Sequence, residues 1–459
     1  MEGATGMNRK RLSFNFQWEA AGNDVLELYQ TMARLSLVVN DHSLTRNEDG
    51  WSRTVKDEVL VSLYPLATWF ASSWWRLLYE PHPGKWVRPS VSWRMAHEMA
   101  SANHGFVWPT VMFATDGDGI QVWSSPSDQK VEQSVRYLNG SRFPSFVPMT
   151  DFCKEVAGFI DSVVNRLRDS DGADSELAAL WALVREEQAD PELTRLRMFE
   201  AMMGYDPEEC PEALLKTMLA LSDKVGEKSL SELMAALAMG QEFQVEQEQK
   251  IELFSELRGL EGRPDIPQSV GSRVETEMCA PWVLAVRDAK DIRDHLGQGW
   301  EPITNKQLFD VLGLHADSVE HYTPENTSRA SVAIPIEHSR IRFIPRKKHP
   351  TARRFEYARL LADCIFQQRG DGWLVSSDLG TFRQKYQRAF AAELLCPVEG
   401  AKQFMQGDYS ESAIEDVAEH FDVSATTVTA LLMNNHVIES DDFSSNTGAW
   451  PYRPLVVSA

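Results

Sequence analysis

The chain has 459 residues, 43% hydrophobic and 25% charged, the balance of a folded globular protein long enough for two to four domains. Its formal net charge of −21 repels phosphate backbones, which makes general coating of nucleic acid a poor starting point, although a local basic patch is still allowed. No run approaches the ~18 apolar residues of a membrane span, and "MEGATGMNRKRLSFNF" lacks the apolar stretch of a secretory signal, so a cytoplasmic protein without a membrane partner is expected.

The first segment, to about residue 155, is rich in aromatics, and nine of the fourteen tryptophans fall between Trp18 and Trp123. "VLVSLYPLATWFASSWWRLLYE" (59–80) reads as one buried apolar helix, and "HGFVWPTVMFATDGDGIQVWSS" (104–125) as two strands around the turn Asp116-Gly117-Asp118-Gly119. The tryptophans are expected to pack a core, since large aromatics dominate core burial. In "RMAHEMASANHGF", His97 and His104 lie seven residues apart, roughly 10 Å along a helix at ~1.5 Å per residue, too far for both to ligate one zinc.

Residues 150–260 are helical by spacing, in "DFCKEVAGFIDSVVNRLRD", "SELAALWALVREEQAD" and "PEALLKTMLALSDKV". The Gly and Pro of "GLEGRPDIPQ" suggest a domain boundary near 262–267. Beyond it, "APWVLAVRDAKDIRDHL" and "TNKQLFDVLGL" read as helices, and "SVAIPIEHSRIRFIP" (331–345) as two strands joined at Glu337-His338-Ser339. "RRFEYARLLADCIFQ" (353–367) reads as a helix in which Phe355, Ala358, Ala362 and Ile365 keep helical spacing. A helix through "AFAAELL", a closing pair in "SAIEDVAEHFDVSATTVTALLMNNHVI", and a polar tail from Glu439 complete the chain.

Three local features carry a family resemblance: Arg354-Phe355 opening a helix after a strand pair, "FAAELLCP" at 390–397, and the closing helices. Together they resemble the ImmA/IrrE family of zinc metallopeptidase-like proteins over roughly residues 275–440. The family's helix carries HExxH, whose histidines four apart reach one zinc while the adjacent Glu takes a proton from zinc-bound water. The resemblance places Arg359 at the first His, Leu360 at the general base and Asp363 at the second His; a third ligand falls near Gln384 or Tyr386. None of these fits its role, so the likeness implies a pseudopeptidase with no metal, no cofactor and no peptidase catalysis. Arg359 and Asp363 stand i, i+4, which suggests a direct ion pair in the vacated site.

The fold expected is α+β, multi-domain and mostly helical. It comprises a Trp-rich α/β module (1–155), a helical middle region (156–265), a zincin-like, ImmA/IrrE-like domain (266–440) and a polar tail (441–459). The segment "RIRFIPRKKHPTARR" gathers Arg340, Arg342, Arg346, Lys347, Lys348, Arg353 and Arg354 with no acid among them, a candidate grip for a phosphate or an acidic protein partner. The closing helices have helix-turn-helix rhythm, but Ala425–Asn435 holds no Arg or Lys with which to read bases. No GxGxxG follows a strand, and GxxxxGK[ST] and GxSxG are absent. The cysteines (Cys153, Cys210, Cys279, Cys364, Cys396) are scattered without CxxC and read as reduced thiols; Cys364 and Cys396, on apolar helices, read as inert. Family members act as regulators that control repressors, often in phage, mobile-element and stress-response systems. The expectation is a protein-binding regulatory, toxin–antitoxin or phage-defence component. Two readings stand beside it: an enzyme with its site in the N-terminal module, and a DNA-binding regulator using 340–354.

Overall fold

The structure is a computed structural model that describes residues 11–19, 25–84, 87–129, 133–141, 144–169, 175–267, 270, 280–337, 340–366 and 372–438. The chain is a multi-domain, mostly helical protein with several small β-sheets, and it divides into two compact units. The first holds the chain to Pro211 with Gly240–Glu242; the second holds Glu212–Met239 and the described chain from Phe243 onward. The helical stretch 156–265 is therefore shared between the two units and does not form a body of its own.

In the first unit, β1 (Leu12–Trp18) pairs antiparallel with β2 (Met32–Val39), and β2 with β3 (Val59–Ser62). Alternate residues Leu35, Leu37 and Val39 of β2 are buried, as the two-residue period of a strand requires. The stretch 59–80 differs from the single helix expected: it opens as β3 and continues as α1 (Tyr64–Ser72) and α2 (Trp74–Tyr79). Val59 and Val61 favour the sheet, and Pro65 fits only the first turn of a helix, so the helix begins late. The hairpin at 104–125 forms as expected, with β4 (Thr110–Thr115) and β5 (Gly119–Ser125) joined by a turn in which Gly117 has φ +92°. Asp116 Oδ1 accepts from Gly119 N at 3.1 Å, which ties the turn. Strand β6 (Ser145–Pro148) extends this sheet, and α3 (Met149–Arg168), α4 (Glu176–Ala189) and α5 (Pro191–Met202) follow. The core is aromatic: Trp69, Trp74, Trp75 and Trp108 are buried in it around Phe70, Phe113, Phe152 and Phe159, whereas Trp51 is exposed. Trp86 lies outside the described residues.

The second unit begins with α6 (Glu212–Val225), α7 (Glu227–Ala238) and α8 (Val245–Leu253). Strand β7 (Leu260–Gly262) follows, so the expected boundary near 262–267 falls inside a fold. A short loop there is held tightly. After α9 (Pro281–His295) and α10 (Asn305–Leu312), Gly313 turns with φ +65°, and a Cβ on it would stand 2.4 Å from Arg263 O. Strands β8 (Ser331–Pro335) and β9 (Ile341–Ile344) pair antiparallel as the sequence suggests; their joint at His338-Ser339 lies outside the described residues. Helix α11 (Pro350–Phe366) carries the "RRFEYARLLADCIF" stretch, and Pro350 occupies its first position, where a missing N–H costs nothing. Strand β10 (Leu374–Ser376) completes an antiparallel sheet of order β7-β9-β8-β10. Helix α12 (Phe382–Leu395), capped by Thr381, then α13 (Val398–Met405), α14 (Glu411–Phe421) and α15 (Ala425–Asn434) close the unit. Ser424 caps α15 by accepting from Thr427 N at 3.1 Å. The tail from Glu439 lies outside the described residues, and among these no helix is long and apolar enough to cross a membrane.

Candidate functional site

Every residue of α11 from Glu356 to Ile365 is buried, so this helix runs through the core and its charged side chains must be satisfied inside it. Leu360, which the resemblance sets at the general base, is one of those core residues, fully buried. Arg359 and Asp363 do not pair with each other, contrary to the sequence expectation. Asp363 instead receives a two-pronged bond from Arg383, Nε to Oδ1 at 2.7 Å and Nη2 to Oδ2 at 2.5 Å, and its Oδ2 also accepts from Val375 N at 2.8 Å. A planar guanidinium fork across a helix–helix contact matches both carboxylate oxygens, which a side chain one turn along the same helix does not. Arg359 donates from Nη2 to Ser377 O at 2.5 Å and to Gln384 Oε1 at 2.6 Å.

Gln384 ties the arrangement to the edge of the sheet. Its Oε1 also accepts from Ser377 N at 2.8 Å and its Nε2 donates to Val375 O at 2.9 Å, while Gln387 Nε2 donates to the same carbonyl at 2.8 Å. Arg359, Asp363 and Gln384, singled out from the sequence, are thus brought together around β10. Tyr386 is not part of this network; its hydroxyl donates to Asp288 Oδ2 on α9 at 2.6 Å. Burial pushes the Arg359 guanidinium down to about 9, with the like charge of Arg388 adding to the shift, so it stays protonated at neutral pH. Burial also opposes the Arg383 charge, but Asp363 outweighs it and raises that guanidinium.

Helix α7 closes the network from another side. Arg383 Nη1 donates to Ser229 Oγ at 3.1 Å, and Thr381 Oγ1 to Glu232 Oε1 at 2.5 Å. Glu232 Oε2, Arg359 Nε, Ser376 Oγ and Gln387 Oε1 are buried without a hydrogen-bond partner. Burial raises the Glu232 carboxyl above its ordinary 4.5, against the attraction of Arg383. A raised carboxyl favours the folded state most when protonated, so its contribution is full below 4.5 and is lost as the pH rises through the folded value. Glu232→Gln is therefore expected to raise the melting temperature at pH 7, with the gain vanishing below pH 4.5; a melting series against pH checks this.

Sequence reasoning missed Arg383, Arg388, Glu232 and Ser229. The signal was partly present: Arg383 and Arg388 stand in "RQKYQRAFAAELL", a helix whose apolar residues mark it as interior, where a cation demands a partner. Glu232 and Ser229 come from a helix more than a hundred residues earlier, and no local pattern links them.

The basic segment is largely committed to the fold. Arg340 pairs with Glu261 on β7, Arg342 donates to Ser255 O at 2.8 Å, and Arg353 to Tyr322 O at 3.0 Å. Arg354 is buried and donates to the carbonyls of Phe421, Asp422 and Ile303. Arg346 pairs with Glu356 at 3.2 Å and Asp378 at 2.6 Å. Lys347 and Lys348 are exposed.

In the first unit, His97 is fully buried, stacked on Trp93 with centroids 4.0 Å apart; its Nδ1 meets Phe113 O at 2.7 Å and its Nε2 meets Glu80 Oε2 at 3.0 Å. Glu98 takes the guanidinium of Arg94 at 2.8 Å, and His104 is exposed, so the spacing His97-Glu98-His104 marks no shared site. A cavity of about 610 Å³ lies beside them, walled by Trp69, Trp75, Met95 and Leu183, with Arg76, Glu187 and Asp206 among its polar residues. Burial pushes the Cys153 thiol up to about 11 and Cys396 up to about 12, and raises Cys364 further, which disfavours a thiolate nucleophile at each. Cys279 lies outside the described residues, and among those described no cluster of three or more His, Cys, Asp or Glu side chains is placed to hold a metal ion. No protein-family model, curated protein or solved structure matches the chain.

Proposed function

We propose that the second unit is a degenerate ImmA/IrrE-like peptidase domain, zincin-like in fold, and that the chain is a non-catalytic, partner-binding component of a bacterial regulatory, toxin–antitoxin or phage-defence system. One observation carries the reading. Of the positions that the resemblance assigns to metal ligands, Arg359 and Asp363 on α11 and Gln384 on α12 meet around β10, where Arg359 bonds Gln384 and Arg383 bonds Asp363, while Tyr386, the alternative to Gln384, turns to Asp288. The strand pair β8 and β9 does precede α11, the order on which the resemblance rests. With Leu360 at the base position, the site has no group to take a proton from water, and binding remains.

The test is purification of the full chain from its native cells at endogenous level, followed by reconstitution with each co-purifying protein. A stoichiometric complex from which the partner emerges uncut supports the reading; a partner cleaved on incubation overturns it. A second reading, a small-molecule enzyme site in the first unit, is favoured by the cavity of about 610 Å³ there, with its tryptophan walls and convergent Arg76 and Asp206. The DNA-binding reading of 340–354 loses its footing where Arg340, Arg342, Arg346, Arg353 and Arg354 are bonded within the fold.

A further inference from the structure

We propose that the loop Ser377–Leu379 between β10 and α12, with the guanidinium and ammonium groups around it, is an oxyanion-binding site for a carboxylate or phosphoryl group of a protein partner, and that Asp378 holds this place in the free chain. The inference rests on the partner-binding reading of the second unit and names the chemistry by which that unit takes hold.

Three arginines from three elements hold this loop. Arg346, following β9, donates from Nη2 to Asp378 Oδ1 at 2.6 Å; Arg359 on α11 donates to Ser377 O at 2.5 Å; Arg388 on α12 donates from Nη1 to Leu379 O at 2.9 Å. Lys347 adds a fourth cation acting on Asp378. Glu356 is already engaged, accepting from Arg346 Nε at 3.2 Å and from Lys347 N at 3.0 Å. In a chain of net −21 this is a local excess of positive charge.

Two of these cations have no carboxylate within ion-pair distance among the described residues, and one of them, Arg359, also has an unpartnered Nε. Arg383, Arg197, Arg76 and Arg94 are buried too, and each has a carboxylate partner. Arg359 and Arg388 have none among the described residues, although Arg359 is only 4% exposed and its Nε has no hydrogen-bond partner. A buried guanidinium whose nearest carboxylates act only from beyond ion-pair distance is incompletely compensated, and the cost falls when an oxyanion comes closer. Asp378 supplies the only carboxylate on the loop itself, and its side chain is 74% exposed, so it leaves the site without disturbing the core. Burial works against its charge, yet the Arg346 bond and the charges of Arg346, Arg359 and Lys347 hold its carboxyl below the ordinary value. It behaves as the anion these groups attract. A partner's side chain suits the site better than a nucleic-acid backbone, since the acidic remainder of the chain repels a long polyanion and admits a single charge.

The test titrates the full chain with inorganic phosphate by calorimetry, comparing wild type with Asp378→Asn, which removes the resident charge from an exposed position. A resident group in place nine times in ten weakens apparent affinity about tenfold, so Asp378→Asn is expected to bind phosphate about tenfold more tightly. In that background Lys347→Gln, also exposed, reduces the affinity several-fold, and Arg388→Gln, checked for folding by circular dichroism, reduces it further. Blocked tripeptides Gly-Glu-Gly and Gly-phosphoSer-Gly then distinguish carboxylate from phosphoryl; binding of either supports the proposal. Affinity in Asp378→Asn within twofold of wild type overturns it, as does affinity unchanged by Lys347→Gln and by folded Arg388→Gln. Tighter binding of a single-stranded oligonucleotide than of both peptides overturns the assignment to a protein partner. Loss of phosphate binding with a partner still captured by the whole chain refutes this site alone; phosphate binding without any native partner refutes the broader reading alone.

Discussion

Asp363→Ala is expected to lower the unfolding free energy of the second unit by about 3–5 kcal/mol, the cost of breaking a buried ion pair from one side. Asp363 is fully buried, and removing it strands the Arg383 guanidinium among Trp373, Ser229 and the sheet edge, while Val375 N loses its acceptor. Replacing both partners with apolar side chains, Asp363→Leu with Arg383→Met, is expected to recover most of the loss, because the desolvation of two charges is no longer needed. Urea unfolding of the two single variants and the double variant, read as a cycle, measures this. A single Asp363→Ala within 1 kcal/mol of wild type would show that the pair does not hold α11 to α12.

Phe70→Ala is expected to cost the first unit about 3–5 kcal/mol. Phe70 is fully buried on α1, with ring centroids 5.6 Å from Phe14, 5.7 Å from Phe113, 6.2 Å from Phe159 and 6.4 Å from Phe152, so truncation opens a hole bordered by β1, β4 and α3. Trp51→Ala, at a side chain 92% exposed, is the matched control and is expected to stay within about 0.5 kcal/mol. Chemical denaturation followed by tryptophan fluorescence separates them. Equal effects would mean that the aromatics of this unit serve a ligand surface more than a core.

Much of the helix content and the two hairpins at 104–125 and 331–345 were legible because their signals are local: apolar period, turn residues, Ser and Thr caps. The stretch 59–80 was misread because a run of continuous apolar residues has no period to separate strand from helix, and the partner that makes Val59–Ser62 a strand is β2, more than twenty residues away. The supposed boundary at 262–267 failed for a related reason. Gly and Pro mark a change of direction, and here the change lies inside a sheet, where Gly262 permits an approach to Leu312 O that a side chain would block.

The sequence singled out Arg359, Asp363 and Gln384 through a resemblance, and the structure places all three around β10. The sequence did not reveal their partners. An i, i+4 pair is the default on an exposed helix, but α11 is interior, and there each charge takes the partner of best geometry, whichever element brings it. Arg383 wins Asp363 by offering two parallel bonds, and Arg359 is left with a carbonyl and an amide. The same exchange leaves Arg359 without a carboxylate at ion-pair distance among the described residues, an observation on which the oxyanion site depends.

The most direct test of a metal site replaced by guanidinium bonds is the zinc content of the full chain, measured by elemental analysis after purification and again after incubation with zinc and dialysis. The account predicts far less than one zinc per chain in both samples and a melting temperature unmoved by chelator. One zinc per chain, retained through dialysis and lost in Asp363→Asn, would contradict it.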